Sequence, residues 1–276
     1  MGQYYKFINL DKKEVCQRNW YCIKLTEHSY LRNKYCNDTL NLLSDRWKGD
    51  RILHIGDYAC GSDETTTEKL IFSIEKDYNL KISIFDWSET FQEVKPKEYN
   101  HNRRIKYVYN HDKKEFIDLT KQPIQWFDIT GDEIHGVKMN SFALLTGCGN
   151  GLGGGDYYGV NHDKIGCWAG DHFESSCIPL ERFKHYKENT IIFNECLEMN
   201  NNIKNWSSKA EDVISAIETK MLNDYISGLK KEKDININNL YLDNADLTSS
   251  EKFLLGLELI YVKNLDKKEK EAEICI

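Results

Sequence analysis

The chain has 276 residues, of which 40% are hydrophobic and 29% charged, with only 3 prolines. That is enough for one large or two modest domains with a core of their own, and it excludes a linker-rich or disordered chain. The formal charge of −7 repels duplex nucleic acid and anionic membrane, so neither is an expected partner.

The N-terminus carries no basic region followed by an apolar stretch, and Lys6 stands where a myristoylation motif wants Ser or Thr. No apolar run approaches the ~20 residues of a membrane span. The 9 cysteines are odd in number and include no Cys-x-x-Cys pair, which argues against a zinc ribbon and a complete disulfide framework. A cytoplasmic protein with reduced thiols is expected, and no cofactor is expected.

Along the chain, Tyr5-Lys6-Phe7-Ile8-Asn9-Leu10-Asp11-Lys12-Lys13-Glu14-Val15 reads as a β-hairpin, with Asn and Asp supplying the turn chemistry. Leu42-Leu43 then leads to Trp47-Lys48-Gly49-Asp50, and residues 51–55 read as a strand. A helix is expected through 64–77, where threonines precede Leu70, Ile71 and Ile74, and a strand at 81–85. The opening pattern returns at residues 106–116, with Asn110, Asp112, Lys113, Lys114 and Glu115 in the turn. Leu144-Leu145 follows, and then Trp168-Ala169-Gly170-Asp171. Glu14 and Trp47 are 33 positions apart, Glu115 and Trp168 53; a glycine-rich insertion at 147–165 accounts for most of the difference.

The order of these elements reads as an internal duplication. Residues 1–95 form a first module, 100–185 a second, and 186–276 a helical or mixed extension, giving an α+β fold. In the extension, Ser208 and Glu211 make a capping box ahead of an apolar stripe ending at Tyr225. Further on, Thr248 and Glu251 offer a second capping box with Leu254, Leu257 and Tyr261 at helical spacing, while residues 257–262 alternate like a strand; of the two readings the strand is preferred.

Residues 147–159 hold seven of the 17 glycines. The formal Gly-x-Gly-x-x-Gly match at Gly149, Gly151 and Gly154 lacks the helix start that a dinucleotide fingerprint needs. The tract reads either as a plain hairpin connection or as a loop whose bare backbone approaches a ligand. On the second reading the binding residues are Gly149, Gly151, Gly153, Gly154, Gly155, Asp156 and Tyr157, with Trp168 and Asp171 beside them. Trp47 and Trp168 also read as core anchors of their turns. Gly-Asp pairs recur at 49–50, 56–57, 131–132, 155–156 and 170–171. They are the material of turns, and with His172 they offer Asp50, Asp57 and Asp171 as metal ligands or acid–base groups, though at no standard metal spacing.

Three stretches carry a resemblance: Met1-Gly2-Gln3-Tyr4-Tyr5-Lys6 with Asn9-Leu10-Asp11-Lys12, then Gly149-Asn150-Gly151-Leu152-Gly153-Gly154-Gly155-Asp156, then Trp168-Ala169-Gly170-Asp171. With residues 46–52 and Gly56-Asp57-Tyr58-Ala59, they resemble a family of short proteins from bacteria, phages and filamentous fungi. The resemblance spans roughly residues 1–175 and implies relatedness without a mechanism. This sequence departs from it at His172-Phe173 and in its extension after about 185.

Two functions are weighed. The first is a binding protein that sequesters a small anionic ligand or blocks a partner protein, the phage link making host–phage conflict a setting; it rests on the glycine tract, the 16 Tyr and 6 Trp, and the missing catalytic signature. The second is a metal-dependent hydrolase using the Gly-Asp carboxylates. Convergence of those aspartates with a histidine would favour the enzyme.

Overall fold

The computed structural model describes residues 3–17, 24–31, 33–97, 105–130, 133–151, 164–206 and 259–263. The fold is α+β. The first hairpin forms from β1 (Tyr5–Asn9) and β2 (Glu14–Cys16), antiparallel with Asn9 opposite Glu14. Asn9 Oδ1 accepts from the main-chain N–H groups of Asp11 and Lys12 at 3.0 and 2.9 Å, and Lys13 enters the left-handed region at φ 52°. The second hairpin, β5 (Tyr107–Asn110) and β6 (Glu115–Asp118), repeats this bond for bond. Asn110 lies opposite Glu115, its Oδ1 accepts from Asp112 and Lys113, both at 3.0 Å, and Lys114 has φ 55°. An Asn side chain that caps two N–H groups offsets the cost of a left-handed Lys, which explains why both copies keep the same turn chemistry.

Each hairpin pairs through its first strand with a strand entered from a Trp-x-Gly-Asp turn. β3 (Asp50–Gly56) runs antiparallel to β1, and β10 (His172–Ser176) antiparallel to β5. In both turns the tryptophan N–H donates to a leucine carbonyl, Trp47 to Leu42 at 2.8 Å and Trp168 to Leu145 at 2.7 Å. Both glycines lie in the left-handed region, Gly49 at φ 81° and Gly170 at φ 74°, a conformation that only glycine takes cheaply. The aspartates close the unit: Asp50 accepts from Asn9 Nδ2 and Asp171 from Asn110 Nδ2, both at 2.7 Å.

The two halves share one sheet. β3 pairs antiparallel with β10, Arg51 opposite His172 and Asp50 opposite Phe173, and a pseudo-twofold axis passes through the Arg51–His172 pair. Gly49 N–H donates to Phe173 O at 2.6 Å and Gly170 N–H to Ile52 O at 2.8 Å, the same bond seen from either side of the axis. Parallel outer strands complete the pattern, β4 (Gln92–Val94) on β2 and β11 (Lys187–Glu188) on β6. The strand order is β4-β2-β1-β3-β10-β5-β6-β11.

One face of the sheet packs against α1 (Leu25–His28), α2 (Lys34–Ser44) and α5 (Ser141–Leu145) around Phe7, Trp47, Phe142, Trp168 and Phe173. The other face is covered, over the first module, by α3 (Thr66–Asp77) and α4 (Ile84–Trp87). The helix expected at 64–77 is α3, started by a capping box between Thr65 and Glu68. The strand expected at 81–85 is not formed. Ser83 caps Asp86 N–H at 3.0 Å and starts α4, so local side-chain capping outweighs the alternation of Ile82 and Ile84. A second sheet orders β12 (Leu259–Lys263), β8 (Glu133–Lys138) and β7 (Ile124–Thr130), and α6 (Ile191–Trp206) packs on β7. The strand read at 257–262 thus appears as β12, while the helix read at 208–225 lies outside the described residues. Among the described residues no helix is long and apolar enough to cross a membrane, and seven cysteines are free thiols.

Trp47 and Trp168 have no exposed surface. Each indole N–H donates to the glutamate that closes its hairpin, Trp47 to Glu14 at 2.8 Å and Trp168 to Glu115 at 2.9 Å. Trp47→Ala and Trp168→Ala are each expected to cost ~3–5 kcal/mol as core truncations. Denaturant unfolding of the two variants checks this, and a loss below ~1 kcal/mol in both would remove the tryptophans from the core.

Candidate functional site

The glycine tract begins inside the fold. Gly147 and Cys148 form β9 (Gly147–Cys148), a buried strand parallel to β3 at His54 and Ile55. This corrects the expectation of a loop from residue 147 onward. Bare backbone approaches protein here: a Cβ on Gly149 would overlap the Tyr5 hydroxyl and the Gln3 amide, and one on Gly56 would overlap the same Gln3 side chain. Gln3 is fully buried, and Tyr5 Oη donates to Gln3 Oε1 at 3.1 Å. Asp57 N–H donates to Tyr4 O at 2.9 Å while Asp57 Oδ1 accepts from Tyr4 N–H at 3.0 Å. The segments around Gln3, Gly56 and Gly149 therefore meet in one packing knot. Gly151 follows at φ 70°. Gly153, Gly154, Gly155, Asp156 and Tyr157 lie outside the described residues.

Trp168, offered as a binding contact, is instead a core residue, because its indole is enclosed and bonded to Glu115. The metal-ligand candidates are each engaged separately. Asp50 pairs with Lys12 and Asn9, Asp57 with Tyr4, Asp171 with Lys113 at 3.2 Å and Asn110. His172 Nδ1 lies 2.9 Å from Asp112. Among the described residues no three His, Cys, Asp or Glu side chains gather as a metal site. The carboxylates titrate as their surroundings dictate. Burial raises the pKa of Asp171 against the pull of Asn110 and Lys113. Asp112 is depressed: burial, its largest influence, works upward but is outweighed by the hydrogen bonds and charge of His172.

A buried histidine pair lies between the sheet and α1. His54 Nδ1 donates to Ala143 O at 3.0 Å, which leaves Nε2 to accept from His28 Nδ1 at 2.8 Å. Both rings are fully buried, and His54 stacks on Phe7 with centroids 3.9 Å apart. Burial, helped by His28, pushes the His54 pKa well below its ordinary value.

A cleft of about 540 Å³ opens at the junction of the modules. It lies between the end of α2, the Asp45–Lys48 turn, residues 95–97 and the end of β10. Five cations line it, Arg46, Lys48, Lys95, Lys97 and Arg182, against the carboxylates of Asp45 and Glu174. Glu174 is nearly buried and is held by Arg182 and by Lys48 at 3.2 Å. Lys97 reaches Asp45 at 3.3 Å with its side chain 90% exposed, and Arg46 pairs with Glu14 outside the cleft. Lys95 is exposed and has no ion pair among the described residues.

The pseudo-twofold explains why the cleft exists on one side only. In the first module, residues 57–91 build α3 and α4, and Leu70 of α3 sits over the Gly170 turn, 3.3 Å from where a Cβ would lie. In the second, residues 177–186 between β10 and β11 hold only a three-residue 3-10 turn, Glu181–Phe183, and no such helix. The equivalent Gly49 turn meets nothing within 4 Å. Sequence reasoning missed the cleft; the unequal spacing after the two Trp-x-Gly-Asp turns was the available signal.

No family model, curated protein or solved structure matches this chain.

Two expectations follow from this geometry. Gly149→Ala is expected to destabilise the protein by ~1–3 kcal/mol through overpacking, and Tyr5→Phe in the same chain to recover part of that; denaturant midpoints of the single and double variants measure it. The second concerns pH. A histidine whose folded pKa lies below its unfolded value contributes stability that is full above the unfolded pKa and is lost as pH falls below it, because the unfolded chain binds the extra proton. His54 is such a group, and so is the half-buried His111, while the raised pKa values of Asp38, Asp171 and Glu188 act in the opposite sense. The melting temperature is expected to drop from neutral pH to about 5.5, starting near the ordinary histidine pKa of ~6.5, and His54→Gln to flatten that slope. An unchanged slope in the variant would remove His54 as its source.

Proposed function

We propose that the protein is a binding protein that takes an anionic group into the cleft between its two modules. The observation that carries this reading is the concentration of five cations around one cleft in a chain whose formal charge is −7. A cleft in which cations outnumber carboxylates, in a molecule of negative net charge, focuses the field and draws in anions despite the overall repulsion. Lys97, with its side chain 90% exposed, and the exposed Lys95 are free to reorient toward a ligand at little cost in lost ion pairing. Blocking a partner in a host–phage conflict is one use of such a site, and the resemblance to proteins of bacteria, phages and fungi supports that setting.

The test is calorimetric titration with tripolyphosphate, a compact polyanion. Binding is expected at low salt and to weaken as salt rises, since a rim of exposed charges is screened over ~10 Å at 0.1 M. Lys95→Glu combined with Lys97→Glu is expected to weaken it by about tenfold or more, a loss of ~1.4 kcal/mol, with the melting temperature unchanged. Equal binding by the wild-type protein and the charge-reversed variant would place any anion site elsewhere.

A further inference from the structure

We infer that the occupant of the cleft is an extended, acidic segment of a partner protein that adds as a short strand to the open edge of β10. This inference rests on the anion-binding reading above and names its ligand. The argument starts from the main chain. On β3, His54 and Ile55 project past the last residue paired with β10, and β9 fills that edge in parallel, with His54 N–H donating to Thr146 O at 3.2 Å. The pseudo-twofold places Ser175 of β10 where His54 stands in β3. His172 O accepts from His111 and Ser176 O from Lys106, both at 2.9 Å, so alternate residues of β10 turn to β5. The main-chain N–H and C=O of Ser175 are thereby directed to the other edge, beyond the final Phe173–Asp50 pair with β3.

Neither group bonds to a described residue outside the strands, and the alternation along β10 turns both away from Val108, which lies opposite on β5; yet Ser175 is only 3% exposed, its hydroxyl donating to Leu40 O of α2 at 2.6 Å. Buried main-chain groups are nearly always paired, and the first module shows what pairs them at this position: two residues of a parallel strand. A small anion would satisfy the lysines and leave Ser175 as it is. An extended segment satisfies both.

The walls fit the side chains of such a segment. A strand sends alternate residues to opposite sides. Leu42, Ile105 and Leu180 provide apolar surface in the cleft, and Lys48, Lys95 and Lys97 provide charge. A segment alternating apolar and acidic residues meets both, with main-chain bonds giving affinity and the alternation giving selectivity.

The experiment uses the full chain and a fluorescein-labelled peptide of alternating Val and Glu, followed by fluorescence anisotropy, with tripolyphosphate as the small-anion control. The peptide is expected to bind, to slow hydrogen exchange of the Ser175 amide, and to lose at least about tenfold in affinity, ~1.4 kcal/mol, both when alternate backbone nitrogens are methylated and when Lys95→Glu and Lys97→Glu are combined. Peptide binding without Ser175 protection, or insensitive to N-methylation, overturns the strand. Tripolyphosphate binding without peptide binding overturns the inference and leaves the anion-binding reading standing. Failure of both ligands overturns the two together.

Discussion

The fold depends on a hydrogen bond made twice. An indole N–H inside a core must find an acceptor, and in each half it finds the glutamate that follows the hairpin turn. The bond clamps the hairpin to the Trp-x-Gly-Asp turn, and that turn launches the strand which pairs with its counterpart across the pseudo-twofold. The two glutamates are completed differently. Glu14 takes a two-pronged ion pair from Arg46, which holds its carboxyl below the usual range, whereas Glu115 takes an amide from Asn189 at 2.8 Å. The position equivalent to Arg46 is Cys167. The cation at the cleft wall is thus a by-product of how one copy satisfies its buried carboxylate.

Where side chains repeat, the fold was readable in advance. Asn9 with Asp11, and Asn110 with Asp112, specify their turns by local hydrogen bonds that depend on nothing distant, so the hairpins and their register followed from residue identities. The α3 helix was legible in the threonines that precede Leu70, Ile71 and Ile74, although the capping box of Thr65 with Glu68 emerged only in the structure. The missed elements lack such signals. β4 and β11 are three and two residues long and exist because an edge was there to pair with. β9 consists of Gly147 and Cys148; glycine's missing side chain reads as loop, yet at Gly149 the space is missing because Tyr5 and Gln3 occupy it. The tract was recognisable in sequence, but its near end serves packing.

The candidate site was illegible for a different reason. The cleft is formed by four segments and defined by a helix that one copy has and the other lacks. No single stretch of sequence encodes that, and only superposition of the two halves exposes it. The pseudo-twofold places two equivalent positions beside the central strand pair. One is filled, by α3 of the first module above and by β9, Gly147–Cys148 of the second, along the edge. The other keeps its bare turn at Gly49 and its unpaired edge at Ser175. A pseudo-symmetric scaffold thereby yields an asymmetric opening, placed where both modules contribute walls.

Glu174 shows how that opening is stabilised without its cover. It stands at the position equivalent to Leu53, which lies in the core beneath α3 and α4. With no helix above it, a leucine there would face the cleft. A carboxylate instead recruits Lys48, Arg182 and, at 3.8 Å, His111, and these long side chains cover the sheet with their aliphatic stems. A nearly buried carboxylate cannot surrender its counter-ions cheaply, so an incoming anion competes poorly for Lys48 and Arg182. On the binding reading proposed above, affinity falls mainly to Lys95 and Lys97, which owe the core nothing, while the pair on Glu174 sets the shape and the sign of the wall. The division separates the groups that hold the cleft open from those available to whatever enters it.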